Sequence, residues 1–216
     1  MRATAIYLDP KSVLGRLEQL RISEAALATA VSGALMERLA CPPLDPTTAP
    51  GFEFWRAGNR ILREELMAKP KDRWRPIDDL NVPLIVDVEM GVAITFACGT
   101  ATTGDPDPFV QPTTKRPKGP ILAGIINRNL PRLFENEPRA LPTPKGSERM
   151  TWILLAYPYG FKARCELSLP MEIQKGTIVK WHERIILPKI TLNDTPTPTR
   201  RRSDAPRVEV KVVRKI

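Results

Sequence analysis

Proline, more than any other residue, limits what this chain can fold into. There are 23 prolines against 12 glycines in 216 residues, about twice the share of proline in an average protein. Each proline removes a backbone donor and fixes φ, so it interrupts helical and β ladders alike. Many fixed turns and loops are expected, and an all-helical bundle is not. With 42% hydrophobic and 26% charged residues, a chain of this length can bury a core without disulfide staples.

The first third reads as helical. Asp9-Pro10 is a helix entry, with Asp as N-cap and Pro in the first turn, and a helix is predicted to about Leu20. Ser23 is a second N-cap candidate, for a helix to about Ala40 with Leu27, Val31, Leu35 and Leu39 on one face. Cys41-Pro42-Pro43 stops it, and 42–50 reads as a linker. A third helix is predicted over Phe52 to Lys69. Phe52, Trp55, Asn59, Leu62 and Leu66 form its inner stripe, and Arg56, Arg60 and Arg63 a second stripe one step round. Three helices with exposed arginines admit a helix-turn-helix reading. The usual glycine turn is absent, however, and Glu53 and Glu64 stand near enough to pair with the arginines.

From Asn81 the texture changes to β-branched runs. Leu84 to Val88 and Val92 to Ala97 read as a hairpin around Gly91. The segment Gly99 to Pro120 is too long for an ordinary connection and is expected to be either functional or mobile. Ile121 to Leu130 reads as a short helix. Thr151 to Ala156 reads as a strand and Tyr157-Pro158-Tyr159-Gly160 as a turn. Between Phe161 and Leu169 the pattern alternates: Phe161, Ala163, Cys165, Leu167 and Leu169 point one way, and Lys162, Arg164, Glu166 and Ser168 the other. Ile178 to Leu187 is predicted as the returning strand, with Val179, Trp181 and Ile185 on one face. Thr195 to Ser203 is a Pro/Thr/Arg linker, after which Val208, Val210 and Val212 alternate with charged residues as an edge strand would.

Charge is unevenly distributed. The net charge is +9 and the isoelectric point about 9.7. Residues 1–98 carry 12 basic and 13 acidic side chains, 99–120 a net +1, 121–194 a net +4 and the last 22 residues a net +5. This asymmetry favours an acidic partner: nucleic acid, an acidic protein face or an anionic surface. Cys41, Cys98 and Cys165 are odd in number and far apart, so reduced thiols in a cytoplasmic compartment are expected rather than a disulfide framework. No signal peptide is expected, and runs such as Trp152 to Ala156 are too short to span a bilayer.

Few residues suggest chemistry. One histidine, His182, and no closely spaced cysteines exclude a structural zinc site, and no cofactor is expected. Asp87 and Glu89 with Lys118 could form an acid-acid-lysine metal site for phosphodiester cleavage, although Asp-x-Glu at a strand end is a common pattern. Cys98 or Cys165 could pair with His182 as nucleophile and base, although Cys165 lies on an apolar strand face. Gly99-Thr100-Ala101-Thr102-Thr103-Gly104 has the glycines and hydroxyls of a phosphate cradle but lacks the Gly-Lys-Ser/Thr ending and does not lead into a helix. Accessible cations for phosphate contacts lie at Lys115, Arg116 and Lys118 and at Arg200, Arg201, Arg202, Arg207 and Lys211. Trp152, Tyr157, Tyr159 and Trp181 are the nearby aromatics that could stack bases.

The expectation is an α+β protein: N-terminal helices followed by a mostly antiparallel β-sheet. Its regions are a helical 1–80, a β-rich 81–194 and a basic tail or edge strand over 195–216, which can equally make one domain. The expected function is a non-catalytic accessory subunit. It contacts nucleic acid or an acidic protein partner through the 115–118 loop and the tail, outside any membrane. The alternatives are a metal-dependent nuclease or hydrolase using Asp87 and Glu89, and an assembly subunit whose tail adds a strand to a partner's sheet.

Overall fold

The computed structural model describes residues 4–68, 73–79, 81–129 and 149–192. After a short strand β1 (Ala5–Tyr7) come helices α1 (Pro10–Gln19), α2 (Glu24–Leu39) and α3 (Ala49–Met67). Strands β2 (Trp74–Asp79), β3 (Val82–Asp87) and β4 (Val92–Cys98) follow, then a long segment leading to helix α4 (Pro120–Asn127). The chain then runs through β5 (Met150–Tyr159), β6 (Lys162–Gln174), β7 (Thr177–Ile186) and β8 (Ile190–Thr191). All eight strands join one sheet, ordered β1-β7-β6-β5-β4-β3-β2, with β8 pairing to β6. Most pairings are antiparallel; β4 with β5 and β1 with β7 are parallel.

Local chemistry starts α1 as expected, whereas α3 begins at Ala49, within the stretch read as a linker, rather than at Phe52. The Asp9 carboxylate accepts from the amides of Lys11 (3.1 Å) and Ser12 (3.0 Å), and Pro10 opens α1. Ser23 occupies the N-cap of α2 but makes no side-chain capping bond. Helices α1 to α3 cover one face of the sheet. Leu27, Val31 and Leu35 of α2 and Phe54, Leu62 and Leu66 of α3 share one apolar core with Ile94, Phe96, Trp152, Leu154 and Leu167, each large side chain contributing roughly 1.5–3 kcal/mol by burial. Leu39, predicted on this face, is largely exposed at the end of α2.

The inner stripe of α3 is rotated from the expected one. Phe52 is 54% exposed and Trp55 only half-buried, whereas Phe54, Ala57 and Gly58 are buried with Asn59. Small residues set the phase. A Cβ on Gly58 would sit 2.5 Å from the Phe96 ring, so only glycine lets α3 approach β4 this closely. Patterns of large apolar residues do not report such contacts. Asn59 completes the join: its amide donates to Phe96 O (3.2 Å) and accepts from Phe96 N (3.1 Å). It thus satisfies β4 beyond Ile94, where the recorded pairing with β3 stops.

Three further expectations are corrected. Strand β2 lies within the segment read as helical; as an edge strand it tolerates Pro76 and its charges. Strand β5 continues through Tyr157, Pro158 and Tyr159, and the reversal falls at Gly160, with φ of 54°. Proline fits there because Ala156 directs its carbonyl to Gly99. Pro158, two residues on, turns its missing donor to the same side, past the end of β4. Finally, Val179, Trp181 and Ile185 do not share a face. Register shifts along β6–β7 flip the side-chain alternation, so Val179 is partly exposed, Trp181 packs with α4 and Ile185 packs under the helices. The predicted linker and strand beyond Thr195 lie outside the described residues.

Candidate functional site

Glu166 and Ser168 on β6, with Arg184 on β7, lie on the sheet face away from α1–α3. The alternation of β6 suggests a solvent-facing polar stripe here, yet Glu166, Ser168 and Arg184 are all 0% exposed. The 99–119 segment covers them. Arg184 Nη2 donates to Glu166 Oε2 at 2.8 Å and Nε to Oε1 at 3.1 Å. The remaining lone pairs of Glu166 accept from Ser168 Oγ (2.8 Å) and from the amide of Gly104 (2.8 Å). Arg184 also donates to the carbonyls of Val110 (3.1 Å) and Asp105 (2.9 Å), Trp181 Nε1 to that of Pro112 (2.8 Å), and Arg164 to that of Ala101. A buried ion pair survives only with such complete satisfaction, and here that satisfaction comes from the covering loop. The glycine-threonine stretch 99–104 does bind an anion through a backbone amide, and the anion is the protein's own Glu166.

Past this clamp the chain returns to the end of β4. Gly99 bridges Thr114, and Lys115 N donates to Cys98 O at 2.8 Å. The Thr114 hydroxyl holds Arg116 O at 2.9 Å, and Lys118 N is fixed to Gly176 O at 2.8 Å. Lys115 and Arg116 project outward, while Lys118 is half-buried. Burial pushes the Lys118 ammonium below its ordinary pKa, against the opposing pull of Cys98. Burial likewise pushes the Cys98 thiol up, although Lys118, Lys115, Arg116 and Arg38 all act to lower it. Lys115, Arg116 and Lys118 therefore form one basic corner. Arg200, Arg201, Arg202, Arg207 and Lys211 lie outside the described residues.

Asp87, Glu89 and Lys118 are not brought together. Asp87 is fully buried; its Oδ2 pairs with Arg73 and its Oδ1 accepts from the amides of Glu89 (3.0 Å) and Met90 (3.1 Å). Burial works to raise its pKa, but the Arg73 guanidinium and these amides more than offset that and hold it below the ordinary value. Glu89 points away to Arg21 at 3.5 Å. Asp87 pairs with Val92 at one end of β4 and Lys118 lies by Cys98 at the other, about 20 Å along the strand. Cys165 is buried, with its thiol pushed up to about 12 by burial, and contacts Pro188 O. Among the described residues no cluster of three His, Cys, Asp or Glu side chains suits a metal, and no helix is long and apolar enough to cross a membrane.

The arginines of α3 are committed to partners: Arg56 to Glu53, Arg60 to Glu64 and Glu37, Arg63 to Asp78. Of the four candidate aromatics, Trp152 and Trp181 are core. Tyr157 and Tyr159 are half-buried and stack on each other, with ring centroids 6.0 Å apart and planes 21° apart. The Arg164 guanidinium lies 5.7 and 5.8 Å from the two ring centroids, and Lys189 Nζ lies 6.0 Å from that of Tyr159. Sequence reasoning missed Lys162, Arg164 and Lys189. The available signal was the alternation of cations on β6 opposite aromatics on β5. Compared with known proteins, the chain matches no protein-family model, no curated protein and no solved structure.

Proposed function

We propose that the chain is a non-catalytic binding module that takes a polyanionic partner, nucleic acid or an acidic protein face, on the basic corner formed by Lys115, Arg116 and Lys118. The observation that carries this reading is that the corner is both exposed and fixed. Lys115 and Arg116 project from a backbone bonded to Cys98 on one side and Gly176 on the other, so fewer chain conformations are lost when a partner binds. The excess of positive charge in the second half of the chain supports it, and the basic residues of 195–216 would add contacts. Such binding weakens with salt in proportion to the phosphates neutralised. The test is titration against nucleic acid and against polyglutamate, beginning at about 50 mM salt. Lys115→Ala/Arg116→Ala should weaken binding and reduce the salt slope by about 1.4–1.8, the share of two phosphates. A wild-type protein that binds neither polyanion at about 50 mM salt overturns the reading.

A further inference from the structure

We infer that the tip of the β5–β6 hairpin is a base-stacking platform for single-stranded nucleic acid, with Tyr157 and Tyr159 as the stacking rings. This rests on the polyanion reading above and names its partner class. Residues i and i+2 of a strand project to the same side, and the two rings stand nearly parallel there. Cations flank them: Arg164 lies over both tyrosines, Lys189 over Tyr159, and the exposed Lys162 pairs across the strands with Tyr159. Aromatic faces interleaved with cations are the chemistry that holds single strands, where each unpaired base offers a π-face and each linkage a charge.

Of the nearby acids, Glu166 is paired with Arg184, whereas Asp105 and Asp107 accept from the amides of Asp107 and Phe109, bonds that hold the carboxylates in place without cancelling their charge. The tip is also continuous with the basic corner. Cys98 and Ala156 are in register on parallel β4 and β5. Gly99 N meets Ala156 O on one edge of β4 and Cys98 O meets Lys115 N on the other, so Lys115 lies about two strand spacings, roughly 10 Å, from the start of the tyrosine pair. A strand whose phosphates meet Lys115 and Arg116 can place its next bases on Tyr157 and Tyr159. Duplex bases are already stacked and an acidic peptide has no planar base, so neither uses the rings.

The experiment is fluorescence anisotropy at about 50 mM salt with an oligothymidylate of roughly 12 nucleotides, its abasic counterpart, a duplex of the same length and polyglutamate. Wild type should bind oligothymidylate about ten-fold or more tightly than the abasic strand. Tyr157→Leu/Tyr159→Leu should fall toward the abasic affinity with its salt slope unchanged. Lys115→Ala/Arg116→Ala should lower the slope on both strands. Equal wild-type affinity for oligothymidylate and the abasic strand overturns the stacking inference without needing any variant to fold, and leaves the polyanion reading standing. Preference for polyglutamate or duplex overturns the partner class. Binding to none of the four overturns both proposals.

Discussion

On the helical side of the sheet the cover is held mainly by apolar side chains, from Val31 and Leu35 of α2 to Leu154 and Leu167 of the strands. On the other side α4 supplies a smaller apolar patch, and the 99–119 segment is fastened by a buried carboxylate, a buried guanidinium and the indole of Trp181. The difference lies in how each cover fails. Apolar burial is non-directional and degrades in proportion to the surface lost. A satisfied polar network is directional, and removing one member strands the others in a low-dielectric interior. The exposed cations at Lys115 and Arg116 depend on the second kind of cover, so the positioning of the basic corner rests on a few bonds.

The largest effect is expected at the ion pair. Arg184→Ala leaves Glu166 buried without its guanidinium partner, which costs about 3–5 kcal/mol, measured by urea denaturation. Glu166→Leu/Arg184→Met should recover most of that stability while still freeing the 99–119 segment to limited proteolysis. If the single variant costs under about 1 kcal/mol, in the range of an exposed pair, the two covers do not differ as described. Leu35→Ala should cost about 3 kcal/mol and leave the segment as protected as the residual global stability allows; selective cleavage there would break the comparison from the other side. Asn129→Leu should cost about 2 kcal/mol. It removes the amide that donates to Thr151 O (3.1 Å) and Pro170 O (3.0 Å) and accepts from Thr151 N (2.8 Å), and the loss should appear first as faster amide exchange in β5 and β6. The narrowest effect is confined to acid. Because the Asp87 pKa is held below the ordinary value, the stability it contributes is complete above about pH 4 and is lost as pH falls through its folded value. Arg73→Leu should flatten that stretch of the pH–stability curve, without exposing the 99–119 segment.

What the sequence makes legible follows the same division. The start of α1 is readable because Asp9 and Pro10 act within one turn. The alternation of β6 is readable because period two needs no knowledge of neighbours. That both faces of β6 are buried is not readable, since the cover over Glu166 comes from residues 62 positions earlier. Strand β2 is hidden because an edge position tolerates Pro76, and the phase of α3 because Ala57 and Gly58 carry the contact. The parallel pairing of β4 with β5 leaves no local trace. At the candidate site, Lys115, Arg116 and Lys118 are visible as cations, but their fixing depends on Gly176, and the tyrosine pair depends on a strand continuing through Pro158.

Strand β1 belongs to the opening residues, yet its partner is almost the last long strand to be made: the Thr4 hydroxyl donates to Trp181 O, 177 positions on. At roughly 5–20 residues per second, a ribosome needs on the order of ten to forty seconds to deliver that partner. During this interval α1–α3 can assemble through local contacts, while the apolar strands β3 and β4 wait for β5. Nascent chains should therefore mature in two stages, with sheet closure gated by translation rather than by the intrinsic speed of pairing. A burst of protection across β4, β5 and β7 once residue 186 has cleared the exit tunnel would be its signature.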